Sequence, residues 1–183
     1  MYGMVNQALE DLVVARGGQE LWQRVKAEAG VCVDMFVRNH GYSDEVTYAL
    51  VSAASQCLDI QAAQLLEEFG VHWVLHAAED SYPDLMKAGG KSLPEFLLRL
   101  PDFHTRISLL FPDLKPPEFR CSDREENSLH LHYFSHRPGL ASFVVGLIRG
   151  LGERFETPVS VQCLQSRDQG ADHEVFRVQW TET

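Results

Sequence analysis

The chain has 183 residues, 45% hydrophobic and 10% aromatic, enough for one compact domain with a sizeable core and without the polar tracts of a disordered tail. Sixteen basic residues against 26 acidic ones give a formal charge of -10, which repels phosphate backbones and anionic lipid, so neither nucleic acid nor a membrane surface is an expected partner. The longest uncharged apolar stretch, residues 47–58, falls well short of the roughly 20 needed to cross a bilayer, and residues 1–10 lack a basic-then-apolar leader pattern, so a cytoplasmic protein is expected.

Helical periodicity fills the first two thirds. Val5, Leu9, Leu12 and Val13 recur at helical spacing before Gly17-Gly18, and Leu21, Trp22, Val25 and Ala29 do so before Gly30, which predicts two short helices. Ser43 followed by Asp44 and Glu45 reads as an N-cap with acid in the first turn and opens a third helix toward Cys57. A fourth is expected from Ala62 through Leu65, Phe69 and Trp73 to Leu75, with Gly70 a weak point inside it. The longest starts at Ser92-Leu93-Pro94-Glu95 and runs to about Leu110, and Pro101 is expected to kink or divide it.

After Pro116-Pro117 the period changes from 3.6 to 2. A strand over residues 119–121, a polar turn over 122–128 and an alternating strand over 129–135 make a hairpin. Pro138-Gly139 closes it, and Leu140, Phe143, Val144, Leu147 and Leu151 mark one more helix. Val159, Val161 and Cys163 alternate, as do Phe176, Val178 and Trp180, across a turn containing Gly170, which predicts a second hairpin. The expected architecture is α+β: a helical N-terminal subdomain, then a mainly antiparallel four-stranded sheet crossed by one helix.

Within the longest helix Leu97, Leu100, His104, Ile107 and Phe111 share one apolar stripe, so His104 points inward. A buried imidazole needs a partner for each ring nitrogen; a metal would supply one, and ordinary hydrogen bonds within a core are the other reading. In the second strand, alternation puts Leu131, Tyr133 and Ser135 on one face with Arg137 next in phase. A phenol, a hydroxyl and a guanidinium fork at two-residue intervals suit a pair of carboxylates, although a solvated strand face could carry the same pattern.

Tyr133-Phe134-Ser135-His136-Arg137 resembles the Tyr-x-Ser-x-Arg signature of the haem-nitric oxide/oxygen-binding (H-NOX) family. Other stretches similar to the family follow in family order: the opening residues 1–11, residues 42–48, Ser92-Leu93-Pro94-Glu95-Phe96, Phe111-Pro112-Asp113-Leu114-Lys115-Pro116-Pro117, and Gly170-Ala171-Asp172-His173-Glu174-Val175-Phe176. The resemblance runs end to end, nearest to stand-alone bacterial and cyanobacterial members and to the sensor domain of soluble guanylate cyclase. It implies a single domain over residues 1–183, with residues 1 to about 60 as a distal helical subdomain, about 61–183 as a proximal subdomain with the sheet, and haem b between them. It implies that His104 is the proximal iron ligand, that Tyr133, Ser135 and Arg137 hold the haem propionates, and that Pro117, or Pro116 beside it, presses on the porphyrin. The distal wall so implied includes Val5, Leu9, Trp73 and Phe143, with Phe143 standing where oxygen-binding relatives carry a tyrosine. The implied function is binding of nitric oxide and carbon monoxide at ferrous haem without a stable oxygen complex. Loss of the iron–histidine bond would then signal to a separate protein, such as a histidine kinase or a cyclic-di-GMP enzyme.

Two histidine groups keep another class open, a histidine-rich non-haem metalloenzyme or metal-binding protein. His72 and His76 share a helical face with Asp80, and His130, His132 and His136 share the strand face away from Tyr133. The four cysteines form no Cys-x-x-Cys pair, and zinc is not expected at Cys163 and His173. The sequence carries no nucleophile-and-base pair, phosphate loop or paired acids, so turnover is not expected.

Overall fold

The computed structural model describes residues 1–110 and 115–181; Phe111, expected on the apolar stripe of the longest helix, lies outside them with the rest of residues 111–114. Helix α1 (Gly3–Glu28) is interrupted where Gly18 turns to φ 75°, ψ 179°, so the two expected helices follow one another without a linker. A positive φ of that kind is the reason for glycine there. Helix α2 (Asp44–Leu58) starts as predicted, with Ser43 Oγ accepting the Glu45 N–H at 3.3 Å and two acids in the first turn.

Helix α3 (Ala62–His72) ends sooner than its periodicity predicts, and the chain continues as a π-turn over Trp73–Ala78 and a short α4 (Glu79–Ser81). The expected weakness at Gly70 is not a break. Gly70 faces helix α7 (Ala141–Arg154), where a Cβ would run into the backbone of Phe143 and Gly146, and Gly146 in turn abuts the Glu67 carbonyl. The two helices meet backbone to backbone because neither carries a side chain at the crossing.

A helix that periodicity does not predict, α5 (Pro83–Gly89), precedes α6 (Leu93–Leu110). At the start of α6, Ser92 Oγ accepts the Glu95 N–H at 3.4 Å while Glu95 accepts the Lys91 N–H at 2.8 Å, a reciprocal cap. The helix stays continuous through Pro101. Proline has no N–H, so the Leu97 carbonyl one turn earlier loses its helical donor. The Cys121 thiol donates to that carbonyl at 3.5 Å, tying α6 to the sheet beneath it.

Strands β1 (Glu118–Ser122), β2 (Ser128–Phe134), β3 (Val159–Gln165) and β4 (Glu174–Trp180) form one antiparallel sheet in the order β1-β2-β4-β3. Both expected hairpins are present, and the α+β architecture is the one the patterning predicts. Phe119, Leu129, Leu131, Tyr133, Phe176 and Val178 are buried on the sheet face that α6 and α7 cover. A separate core joins α1, α2 and α3 through Leu9, Val13, Trp22, Leu50, Leu65 and Phe69, and Trp73 packs against both cores. The helical core takes in α3 and so runs past residue 60. Among the described residues no helix is long and apolar enough to cross a membrane.

Candidate functional site

Between the first turn of α1, the π-turn, α5, α6, the β1–β2 hairpin and α7 lies a cavity of about 260 Å³. Its wall is nearly all apolar, with Met4, Leu97, Phe119, Leu131, Val144 and Leu147 among its side chains. Into it project one imidazole, His104 of α6, and a polar edge made by Tyr133, Ser135 and Arg137 at the end of β2.

The Nδ1 of His104 lies 3.0 Å from the Leu100 carbonyl oxygen. A carbonyl only accepts, so Nδ1 carries the proton and Nε2 keeps its lone pair. Burial pushes the His104 pKa below its ordinary value, against the smaller opposing pull of the Leu100 carbonyl, which keeps the ring neutral near pH 7. Its ring packs on Phe119 at 4.9 Å between centroids, and Phe119 packs on Tyr133 at 5.3 Å. A run of rings thereby joins α6 to β2.

At the polar edge Tyr133 and Ser135 hydrogen-bond to each other, and burial raises the Tyr133 pKa so that the phenol stays protonated. Ser135 Oγ accepts the Arg137 N–H at 3.1 Å. The Arg137 guanidinium donates from Nε to Asp44 Oδ2 at 2.8 Å and from Nη1 to the Lys115 carbonyl at 2.9 Å, with further N–H donors left for an anion. The other Asp44 oxygen accepts from the Met1 ammonium at 2.6 Å. Burial works to raise the Asp44 pKa, but the Met1 ammonium and Arg137 together outweigh it and hold the carboxyl below its ordinary value. Met1 is held there because Tyr2 bridges Gly41 and the Gly3 N–H donates to the His40 carbonyl at 2.8 Å.

Pro116 and Pro117 both line the cavity, as do Val5, Trp73 and Phe143. Leu9 does not. The cavity reaches only the first turn of α1, and Leu9, one turn further, is wholly buried in the helical core under α2 and α3. Sequence reading also passes over Tyr2 and Tyr82, which reach the wall, the Tyr82 hydroxyl lying 3.8 Å from Met4 Sδ. Asp44 reads only as first-turn acid, and no local signal brings it to Arg137, 93 positions away.

The histidine clusters are arranged differently from the cavity. His130 meets Asp123 at 3.0 Å, and His132 lies between Ser122 at 2.8 Å and His173 at 2.9 Å. His136 does not join them, because β2 ends at Phe134 and the chain turns it toward Asp44, 4.0 Å away. His72 and His76 lie tilted against each other at 4.7 Å between centroids. Among the described residues no group of three or more His, Cys, Asp or Glu is arranged to hold a metal ion.

A bare divalent ion needs three or four protein ligands. One neutral imidazole in an apolar chamber, with hydroxyls and a cation at one edge, instead fits a flat metallated macrocycle carrying carboxylates, as haem does.

A family model described as haem-NO-binding matches residues 2–163. The soluble guanylate cyclases gcy-31 and gcy-32 of Caenorhabditis elegans are 27% and 29% identical over 97% and 94% of this chain. The chain spans about a quarter, 26%, of the length of each of those cyclases. Among solved structures, an H-NOX protein from S. oneidensis in the Fe(II)NO ligation state superposes with a TM-score of 0.91 at 20% identity, covering 100% of both chains. An unliganded Fe(II) H-NOX protein from K. algicida superposes with a TM-score of 0.87 at 23% identity, covering 100% of this chain and 98% of that one. At those identities the likeness speaks for the fold, the helical subdomain with its four-stranded antiparallel sheet.

Proposed function

The chain belongs to the haem-NO-binding (H-NOX) family, and from that premise we propose that it is a nitric oxide sensor holding haem b in the cavity, with His104 as the iron ligand. Domains of this family bind haem and are ligand-binding sensors, not catalysts. One observation carries the reading: a neutral, buried imidazole whose Nδ1 is taken by the Leu100 carbonyl, leaving the Nε2 lone pair for a metal in an apolar chamber. When bound, haem would supply a ferrous iron able to take nitric oxide or carbon monoxide, with His104 as the residue holding it.

The chain's own residues do the rest. Arg137, Ser135 and Tyr133 would hold the propionates, the guanidinium exchanging part of its contact with Asp44 for a second carboxylate. Pro117, with Pro116 beside it, would bear on the porphyrin face, and Val5, Trp73 and Phe143 would form the distal wall. Phe143 has no hydroxyl to stabilise bound oxygen, whereas nitric oxide needs no such donor. His104 would be the moving part. A change at His104 would let α6 shift on the Phe119 ring and the Cys121 thiol, and the helical subdomain, whose core joins α1, α2 and α3, would move against the sheet-bearing one. A separate signalling protein, such as a histidine kinase or a cyclic-di-GMP enzyme in the cytoplasm, would read that change.

The test is the absorption spectrum of the reduced, haem-loaded protein before and after nitric oxide is added. We expect a five-coordinate ferrous spectrum that changes to that of a nitric oxide complex lacking the histidine ligand. Failure to take up haem, or a spectrum indifferent to nitric oxide, overturns the reading.

A further inference from the structure

Arg167 stands in the 3-10 turn (Arg167–Gln169) that links β3 to β4, outside the cavity wall. Its Nε–H is shared between the two carboxylate oxygens of Glu174, at 2.8 and 2.9 Å. Nη1 donates to the Ser135 carbonyl at 2.6 Å, and Nη2 donates to the Arg137 carbonyl at 2.9 Å. Glu174 is buried at the first position of β4, directly across the ladder from Tyr133. One guanidinium therefore touches the strand partner of Tyr133 and the peptide groups of Ser135 and Arg137.

We propose that Arg167 and Glu174 form a clamp that positions Arg137 for the propionates, and so sets how long the domain keeps its haem; the inference rests on the haem-binding reading above. β2 ends at Phe134, so the carbonyls of Ser135 and Arg137 have left the sheet ladder and need other donors. Arg167 supplies both from one rigid fork, which fixes the direction in which the next peptide carries the Arg137 side chain. Glu174 makes this possible, since a buried carboxylate must be paired and holds the guanidinium in one orientation. Charge is not the device, because Arg167 and Glu174 cancel. A lysine at 167 would keep the charge and lose the fork, so it separates geometry from electrostatics.

The experiment compares haem transfer to excess apomyoglobin from the haem-loaded parent, Arg167→Lys, Arg137→Ala and the double variant. Arg167→Lys should release haem about tenfold faster, as expected when the bonds that orient a charged contact are lost. The resonance Raman bending bands of the propionates should shift with it. In the Arg137→Ala background the same substitution should add less than about twofold, because the clamp acts through a residue already removed. An unchanged release rate in Arg167→Lys, or two effects that multiply, overturns the clamp. If Arg167→Lys fails to fold, Arg167→Gln, which keeps one amide donor for the carbonyls, is held to the same criteria. A parent that takes up no haem defeats the haem-binding reading and the clamp together, whereas a loaded parent with an indifferent Arg167→Lys defeats the clamp alone.

Discussion

Replacing Arg137 with Ala removes the only guanidinium that lines the cavity among the described residues. The haem-free domain loses the Nε bond to Asp44 and the Nη1 bond to the Lys115 carbonyl, both at a partly exposed edge, and should be destabilised by about 1 kcal/mol. For a domain of this size that lowers Tm by roughly 2–4 °C. Haem loses more, since a propionate that was neutralised at the edge of an apolar chamber gives up a charge-assisted contact of about 1.5–3 kcal/mol. That corresponds to release faster by roughly ten- to a hundredfold. Transfer to excess apomyoglobin, followed by absorbance, measures the rate, and the melting of haem-free protein measures the fold separately. Parent-like release in Arg137→Ala, or release that merely tracks a collapse of the haem-free fold, would refute the propionate role.

Phe143→Tyr, which adds a hydroxyl to the cavity wall, should raise oxygen affinity by about two- to tenfold, the worth of one neutral hydrogen bond, with carbon monoxide affinity as the control; a long-lived oxygen complex of the unaltered protein in air would contradict the nitric oxide assignment. Gly146→Ala places a methyl group against the Glu67 carbonyl, and overpacking of about 1–3 kcal/mol should lower the melting temperature by several degrees, so a parent-like melt would disprove the close crossing of α3 and α7. The haem-free domain should also weaken in acid. The folded pKa of His104 lies below its unfolded value of about 6.5, so as pH falls below that value the unfolded chain takes up a proton that the folded core refuses. Denaturant midpoints at about pH 7.5 and about pH 5.5 should therefore differ in favour of the higher pH, and equal midpoints would contradict a neutral buried ring.

Elements whose signals are local were legible in the sequence. Ser43 caps α2, the two hairpins alternate as they fold, and Tyr133, Ser135 and Arg137 all reach the cavity from the end of one strand. What was not legible depends on distant partners. Gly70 lowers helix propensity yet serves as the notch that admits α7, because the contact across it outweighs a local preference. The π-turn at Trp73–Ala78 leaves no mark in a 3.6-residue pattern, so α3 was expected to run on. Leu9 shares the helical phase of Val5, but phase does not tell where a cavity stops along α1. Asp44 and Arg167 reach the polar edge from 93 residues before Arg137 and 30 residues after it, separations across which local patterning carries no sign of contact.

If His104 makes the one protein bond to a haem iron, His104→Gly should abolish haem retention in a way that free imidazole repairs. The substitution removes the ligand and opens a space of imidazole size in the apolar wall. The variant should purify with little haem and regain it, with a parent-like ferrous absorption spectrum, when millimolar imidazole is supplied. A variant that keeps its haem and shows the unaltered ferrous spectrum without added imidazole would contradict that role of His104.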